Sequence, residues 1–164
     1  MDARHSTTLR YLVLATIIST VFVATVGAGI AGAEEIERKN SIELFLGGTT
    51  SEGDTAFAIG LGYERRLNEL LGIGVLGDWT AGGFRELVLA FPLYLHPWRG
   101  LRFDVAPGID FETDGEEARE FLLRVGAAYE FEVGESWSIV PEINGDFAAG
   151  EPLVVWGVSF GYRY

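Results

Sequence analysis

Alternation with a period of two is the feature that most constrains this chain. From Ser41 to Tyr164, large apolar side chains alternate with small or charged ones, and the pattern is clearest at the carboxy terminus. There, one parity carries Val154, Trp156, Val158, Phe160, Tyr162 and Tyr164, and the other carries Val155, Gly157, Ser159, Gly161 and Arg163. A period of two predicts β-strands rather than helices, because successive side chains of a strand point to opposite faces.

The alternation divides into eight segments separated by turn signals. Each segment is close to the length of roughly 9–11 residues that a tilted strand needs to cross a bilayer. The predicted strands cover 41–49, 55–65, 71–79, 85–96, 101–112, 120–131, 137–147 and 154–164. Short turns are predicted at 65–70, 97–100 and 133–136, and the loops of the other end at 50–54, 80–84, 113–119 and 148–152.

The composition indicates which face of these strands points outward. The chain is 48% hydrophobic and contains 22 glycines among its 164 residues. The interior of an eight-stranded barrel is only wide enough for side chains to fill it, so the large apolar parity does not fit inside, as a soluble lipocalin-like barrel would require. We therefore predict an all-β fold, a closed up-and-down eight-stranded antiparallel transmembrane β-barrel with its large side chains toward lipid.

The amino terminus has the order of a secretory signal peptide. Arg4 and Arg10 flank the start of an apolar run over 11–30, and small residues at 31–33 precede Glu34. This pattern predicts a signal peptide over 1–33 that is cleaved after Ala33, followed by one outer-membrane domain over 34–164. The run is also long enough to span a bilayer as a retained anchor, which is the alternative.

Charged residues of the inward parity form the main candidate site. Buried charges are costly unless they are paired, so these residues are expected either to form a closed, paired core or to line a narrow cation-preferring pore. The predicted lumen charge network contains Glu43, Glu64, Asp78, Arg102, Asp104, Glu112, Arg124, Glu130, Glu142, Asp146 and Arg163.

Two catalytic-looking motifs fall inside predicted strands. The run 72–77 matches G-x-G-x-x-G and the run 157–161 matches G-x-S-x-G, but both motifs require a strand-to-helix turn. His96, at a strand end, is interpreted as a residue of the barrel rim. The sequence therefore predicts no catalytic residues, no cofactor and no enzymatic activity.

Metal and nucleic-acid sites are not predicted either. The chain has no cysteine, and its net charge of −12 argues against a nucleic-acid partner. The acidic run at 110–115 resembles half of a Ca²⁺ loop, but Phe121 stands where the bidentate Glu is needed. A weak divalent-cation contact at Asp114, Glu116 and Glu117 is the alternative to a plain acidic hairpin.

Aromatic residues concentrate near the predicted strand ends. Trp79 and Trp156 fall toward the loop end, and a larger group falls toward the end that carries both termini. Amphipathic rings prefer the headgroup level of a membrane, so these residues predict aromatic girdles. The group at the termini comprises Tyr63, Tyr129, Phe131, Trp137, Tyr162 and Tyr164.

Taken together, these residues resemble the superfamily of eight-stranded outer-membrane barrels that includes the transmembrane domain of outer-membrane protein A. The resemblance covers 41–164, and its most specific parts are the segment 91–101 and the aromatic carboxy terminus. It implies that the outer-membrane assembly machinery reads the terminal residues. That predicted assembly signal comprises Trp156, Val158, Phe160, Tyr162 and Tyr164.

The resemblance also implies an outer-membrane location in a Gram-negative envelope, with outer-membrane lipid and lipopolysaccharide as partners and a monomeric state. Members of the superfamily are structural anchors, small channels, resistance factors or lipid-modifying enzymes. We expect a non-enzymatic structural protein with a charge-filled narrow lumen. The alternatives are a narrow cation-preferring pore for small solutes and, with less support because His96 lacks a nearby Ser, a lipid-modifying enzyme.

Overall fold

A computed structural model describes residues 38–82, 86–112, 119–148 and 152–164. Within these residues the chain forms ten β-strands, and Glu35–Tyr164 make one compact unit. The predicted signal peptide lies outside the described residues, so its cleavage after Ala33 stays a prediction. The strands are β1 Asn40–Ser51, β2 Asp54–Arg66, β3 Leu71–Thr80, β4 Glu86–Ala90, β5 Leu93–Trp98, β6 Leu101–Glu112, β7 Arg119–Tyr129, β8 Phe131–Val133, β9 Trp137–Phe147 and β10 Leu153–Arg163.

The ten strands make up the eight antiparallel walls of a closed barrel, and each wall, formed by one strand or by two consecutive ones, is here called a stave. β4 and β5 together form the fourth stave, and β7 and β8 together form the sixth. Each stave pairs with its neighbours in chain order, and β1 pairs with β10 from Ser41↔Arg163 to Thr50↔Val154. This last pairing closes the sheet and leaves no unpaired edge, which confirms the predicted all-β architecture of an eight-stranded antiparallel barrel.

Prolines account for the two interrupted staves. Phe91, which follows β4, lies opposite Pro107, and its N–H donates to the Pro107 carbonyl at 2.9 Å. The reciprocal bond cannot form because proline has no N–H. The second interruption falls at Glu130, between β7 and β8. The register with β9 is the same on both sides of it and sets Tyr129 opposite Pro141, which has no N–H to donate. The sequence pattern predicted these staves as single strands.

The turn between β1 and β2 contains only two residues. Glu52 and Gly53 both have positive φ, at 48° and 98°. A two-residue hairpin turn of this kind needs positive φ at both central positions, and it matches the right-handed twist of the flanking strands. The turns at the end that carries Asn40 and Arg163, here called the termini end, are also short; the opposite end is called the loop end.

The outer surface of the barrel is apolar and the lumen is polar. The side chains of Phe57, Leu61, Phe121 and Ile143 are each more than half exposed, whereas the alternate residues of the same strands are largely buried. Inside, only small apolar clusters form, such as Val88, Ala90, Ala106 and Leu122. Among the described residues, no helix is long and apolar enough to cross a membrane.

Candidate functional site: the charged lumen

Arg124 is the centre of the first buried charge cluster. It lies on β7 and contacts two carboxylates, that of Asp146 directly opposite it on the paired strand β9 and that of Asp78 across the lumen on β3. Its Nε and Nη2 donate to the two carboxylate oxygens of Asp146 at 2.7 and 2.8 Å, and its Nη1 donates to Asp78. The bidentate geometry is the strongest arrangement available to an arginine and a carboxylate. We call Arg124, Asp78 and Asp146 the Arg124 cluster.

Arg102 is the centre of a second cluster nearer the termini end. Its Nη1 donates to Glu43 at 2.6 Å and lies 3.7 Å from Glu64, while its Nη2 lies 3.6 Å from Glu142. Tyr94 places its ring 5.0 Å from the Arg102 guanidinium carbon, within the range of a cation–π contact. We call Arg102, Glu43 and Glu142 the Arg102 cluster.

A small cavity separates the two clusters. It is lined by members of both clusters and by Asp104 and Asn144, and its volume is about 30 Å³. Two buried atoms of its lining residues, Arg102 Nε and Asp104 Oδ2, have no hydrogen-bond partner among the described protein atoms. A volume of this size holds about two water molecules, which is the usual way in which buried polar atoms are satisfied.

A third group of charges lies at the termini end of the lumen. Glu64 accepts from Arg66 at 3.1 Å and contacts His96 Nε2 at 2.8 Å. Glu130 links Arg66, at 3.4 Å, to Arg163, at 2.5 Å, and Arg163 also contacts Glu132 at 3.0 Å. These residues form the rim cluster. In it, Glu64 contacts side chains of β2 and β5, and Glu130 contacts side chains of β2 and β10.

Apolar contacts flank the Arg124 cluster on the inner wall. The ring of Phe45 lies against two glycines, Gly47 and Gly157, which face each other across β1 and β10. A Cβ atom at Gly157 would lie 2.6 Å from the Phe45 ring and 2.7 Å from the Gly47 Cα, so only glycine allows this approach. On the opposite wall, Leu122 is fully buried against Val88, Ala90 and Ala106.

The structure brings most of the predicted lumen residues together. Glu43, Asp78, Arg102, Arg124, Glu142 and Asp146 belong to the two inner clusters, and Glu64, Glu130 and Arg163 to the rim cluster. Asp104 is buried beside the cavity. Glu112 ends β6, and its side chain lies outside the described part of the chain.

Four residues of the site were outside the predicted charge network. Arg66, Tyr94 and Ser159 take the inward parity and contact the charge clusters, with Ser159 donating to Glu142 at 2.5 Å. His96, interpreted from the sequence as a rim residue, lies in the rim cluster, where its buried ring contacts Glu64. All four share the parity of the predicted charges, and Arg66 lies one residue beyond the predicted end of its strand.

The described residues offer no arrangement that favours catalysis or metal binding. No group of three or more acidic, histidine or cysteine side chains within 38–82, 86–112, 119–148 and 152–164 is placed to hold a metal ion. Gly72, Gly74 and Gly77 lie within β3 and Ser159 lies within β10, so neither glycine motif stands at a strand-to-helix turn. The predicted divalent-cation contact at 114–117 falls outside the described residues.

Aromatic side chains gather on the outer surface at the termini end. The rings of Trp137 and Tyr162 are 4.9 Å apart, and those of Tyr129 and Phe131 are 4.8 Å apart. At the loop end, the Trp156 indole donates to Thr50 at 3.1 Å. All five residues of the predicted assembly signal occupy the outward parity of β10 and its end.

Comparison with known proteins gives structural matches only. No protein-family model matches the sequence, and none of the curated proteins compared with it is a significant match. The barrel domain of Pseudomonas aeruginosa OprF matches with a TM-score of 0.58 at 15% identity, covering 78% of this chain and 100% of that one. Yersinia pestis Ail in a phospholipid nanodisc matches with a TM-score of 0.55 at 13% identity, covering 78% and 100%.

A de novo designed transmembrane β-barrel also matches, with a TM-score of 0.54 at 15% identity over 80% of this chain and 99% of the design. At these identities the likeness concerns the fold. The chain therefore has the fold of the small eight-stranded transmembrane β-barrels, as its resemblance to the outer-membrane barrel superfamily predicted.

Proposed function

We propose that this protein is an integral outer-membrane β-barrel whose role is structural and non-enzymatic, with a lumen closed by paired charges. The observation that carries the proposal is the contrast between the two faces of one closed sheet. The outer face exposes large apolar side chains around the barrel, and the inner face buries arginine–carboxylate clusters. Only a hydrocarbon environment makes both faces favourable.

The closed lumen supports a structural role. Arg124 links β7 and its paired neighbour β9 to β3 across the interior, and Arg102 links β6 to β1 and β9. The cavity between them has a volume of about 30 Å³, which holds about two water molecules. In this arrangement the charges hold strands together across the lumen, as side chains fill other eight-stranded barrels.

A narrow cation-preferring pore is the second candidate, and it is favoured by the excess of carboxylates over arginines in the lumen. Around the two inner arginines, the described residues include five carboxylates, those of Glu43, Asp78, Asp104, Glu142 and Asp146. A lumen with this imbalance attracts cations and repels anions. Conduction would require both clusters to open, because each crosses the interior.

Gel mobility and conductance together test the proposal. Boiled and unboiled samples of the outer-membrane fraction are compared by gel electrophoresis, and a heat-dependent shift is expected for a closed membrane barrel. Purified protein is then incorporated into planar bilayers, where the structural role predicts no steady conductance. Steady cation-selective current from the natural protein would establish the pore instead, and a soluble protein without a gel shift would contradict both.

A double substitution provides the matched control. Arg102→Ala with Arg124→Ala removes both cross-lumen contacts and leaves the carboxylates, so cation current is expected from this variant wherever it still shows the gel shift.

A lipid-modifying activity is the weakest candidate, because His96 contacts Glu64 rather than a serine. Unchanged lipid A masses in cells that overproduce the protein are the expected result.

The terminal aromatic residues support a proposed partner. Phe160, Tyr162 and Tyr164 alternate on the outward parity, where the assembly machinery of the outer membrane would read them. Substituting Phe160 and Tyr164 together by Ser should lower the amount of the heat-shifted form in cells. Refolding of the purified variant into detergent should proceed as for the natural protein, which separates assembly from stability.

A further inference from the structure

The signs of the charges differ between the two faces of the barrel. Within the described strands, the positions of all Asp and Glu residues have the inward parity. Only two charged residues take the outward parity, Arg65 near the end of β2 and Arg119 at the start of β7. A chain with net charge −12 thus presents only positive charge on the outer face of its strands.

The two outward arginines lie at opposite ends of the barrel. Arg65 is the residue before the last of β2, at the termini end, and Arg119 is the first residue of β7, at the loop end. These are the positions where a lipid-facing strand passes from hydrocarbon to headgroups. There a long arginine side chain can keep its stem in apolar surroundings and its charge in the polar layer.

Arg65 has neighbours that leave its charge available. In the register it lies opposite Asn40 of β1 and Ile73 of β3. Its side chain is exposed and makes no ion pair with any described residue. The adjacent carboxylate, Glu64, points inward and is bound by Arg66 and His96.

Polar and aromatic groups surround Arg65 on the same surface. Tyr63, two residues earlier on the outward parity, donates its hydroxyl to Asn40 Oδ1 at 2.8 Å. Tyr162 follows on the same rim, since Ile42 pairs with both Tyr63 and Tyr162. Tyrosine and arginine at one level of a lipid-facing surface are typical of the headgroup region of a membrane.

We propose that Arg65 binds the phosphate group of a membrane phospholipid at the termini end of the barrel. The proposal rests on the proposed membrane location of the barrel. The planar guanidinium presents paired donors that match two phosphate oxygens, and no Asp or Glu of the described strands lies on that face. The lipid phosphate thus supplies a counter-charge for Arg65, because the acidic side chains of the described strands have the inward parity.

A lipid titration of the folded protein tests this inference. Protein in a phosphate-free maltoside detergent is titrated with phosphatidylglycerol, and bound lipid is counted by native mass spectrometry. Arg65→Gln is expected to weaken binding about fivefold, the effect of one basic residue near an anionic membrane surface. Arg99→Gln is the matched control, since Arg99 is an exposed arginine in the β5–β6 turn, outside the strand face, and is expected to leave binding unchanged.

Two further ligands identify what is recognised. A glycolipid with the same acyl chains but no phosphate should bind weakly and equally to all variants, and inorganic phosphate alone should not compete at millimolar concentration. Equal binding of phosphatidylglycerol to Arg65→Gln and to the natural protein, or binding of the glycolipid to the natural protein as tight as that of phosphatidylglycerol, would overturn the inference. The gel shift in vesicles is measured for each variant, and its absence in the natural protein would contradict the membrane location instead.

Discussion

Two buried arginines, Arg124 and Arg102, have the same chemistry and different surroundings. Arg124 makes a bidentate pair with Asp146 and a further bond to Asp78, and apolar side chains flank it. Arg102 makes one short bond, to Glu43, and two longer contacts, and its Nε lacks a partner among the described protein atoms. Both clusters line the small cavity between them, but the guanidinium of Arg124 is fully bonded and that of Arg102 is not.

The difference shows that the stability lost when a buried arginine is removed depends on which other partners its carboxylates retain. If Arg124 is removed, two buried carboxylates, Asp78 and Asp146, lose the only cation that contacts them among the described residues. If Arg102 is removed, Glu43 loses its bonded cation, whereas Glu64 keeps Arg66 and His96, and Glu142 keeps Ser159. We therefore expect the Arg124 cluster to determine stability more strongly than the Arg102 cluster.

Replacing Arg124 should have the largest effect. Arg124→Met is expected to lower the free energy of unfolding by about 3–5 kcal/mol, because it leaves buried carboxylates without a counter-charge. Urea unfolding in vesicles, followed by tryptophan fluorescence, measures the change. Adding Asp78→Asn and Asp146→Asn to the same variant should recover most of the loss, and no recovery would show that packing rather than charge dominates.

Replacing Arg102 should have a smaller effect. Arg102→Met is expected to cost about 1–3 kcal/mol, the range for a buried polar group left without its partner. The same urea titration applies, and the comparison with Arg124→Met is the test. A cost equal to or larger than that of Arg124→Met would contradict the distinction between the two clusters.

Packing beside the clusters should respond to a single methyl group. Gly157→Ala places a Cβ 2.6 Å from the Phe45 ring and is expected to cost about 1–2 kcal/mol by overpacking. Gly77→Ala is the matched control on the outer face, where the nearest atom to a Cβ would be 3.9 Å away. Equal thermal stability of these two variants would show that the inner wall has room to adjust.

A substitution in the rim cluster should change the free energy of unfolding least. The side chain of Arg163 is 26% exposed and its contact to Glu132 is open to solvent, while the buried Glu130 keeps a second cation, Arg66. Arg163→Gln is expected to lower the free energy of unfolding by less than about 1 kcal/mol, and less still at high salt. A salt titration of the unfolding midpoint checks this, and a loss that salt does not change would assign Arg163 to the buried clusters.

The prediction of strands from the sequence succeeded because the signal is local. The alternation in 154–164 is visible within a few residues, and β10 covers Leu153–Arg163. The interruption of the fourth stave falls at Pro92 itself, which accepts from the Gly74 N–H at 2.9 Å and has no N–H to return the bond, so the sequence contained a local signal for it. The interruption of the sixth stave depends on the partner strand, because the register sets Tyr129 opposite Pro141, which no pattern within one strand reveals.

The sequence by itself determined which residues face inward and which face outward. Parity divides the residues of each strand into two faces, and the narrow interior of the predicted eight-stranded barrel assigned the face with Glu43 and Arg102 to the lumen. The parity of His96 and Arg66 is that of the same face.

Only the tertiary structure decided which charges meet. Arg102 and Glu43 are 59 residues apart, and Arg124 and Asp78 are 46 apart, on strands that do not pair with each other. Closure of the barrel, together with the tilt of its strands, sets these side chains at one level of the lumen. The difference between a fully bonded arginine and a loosely bonded one arises from that closure, because it depends on the whole ring of strands.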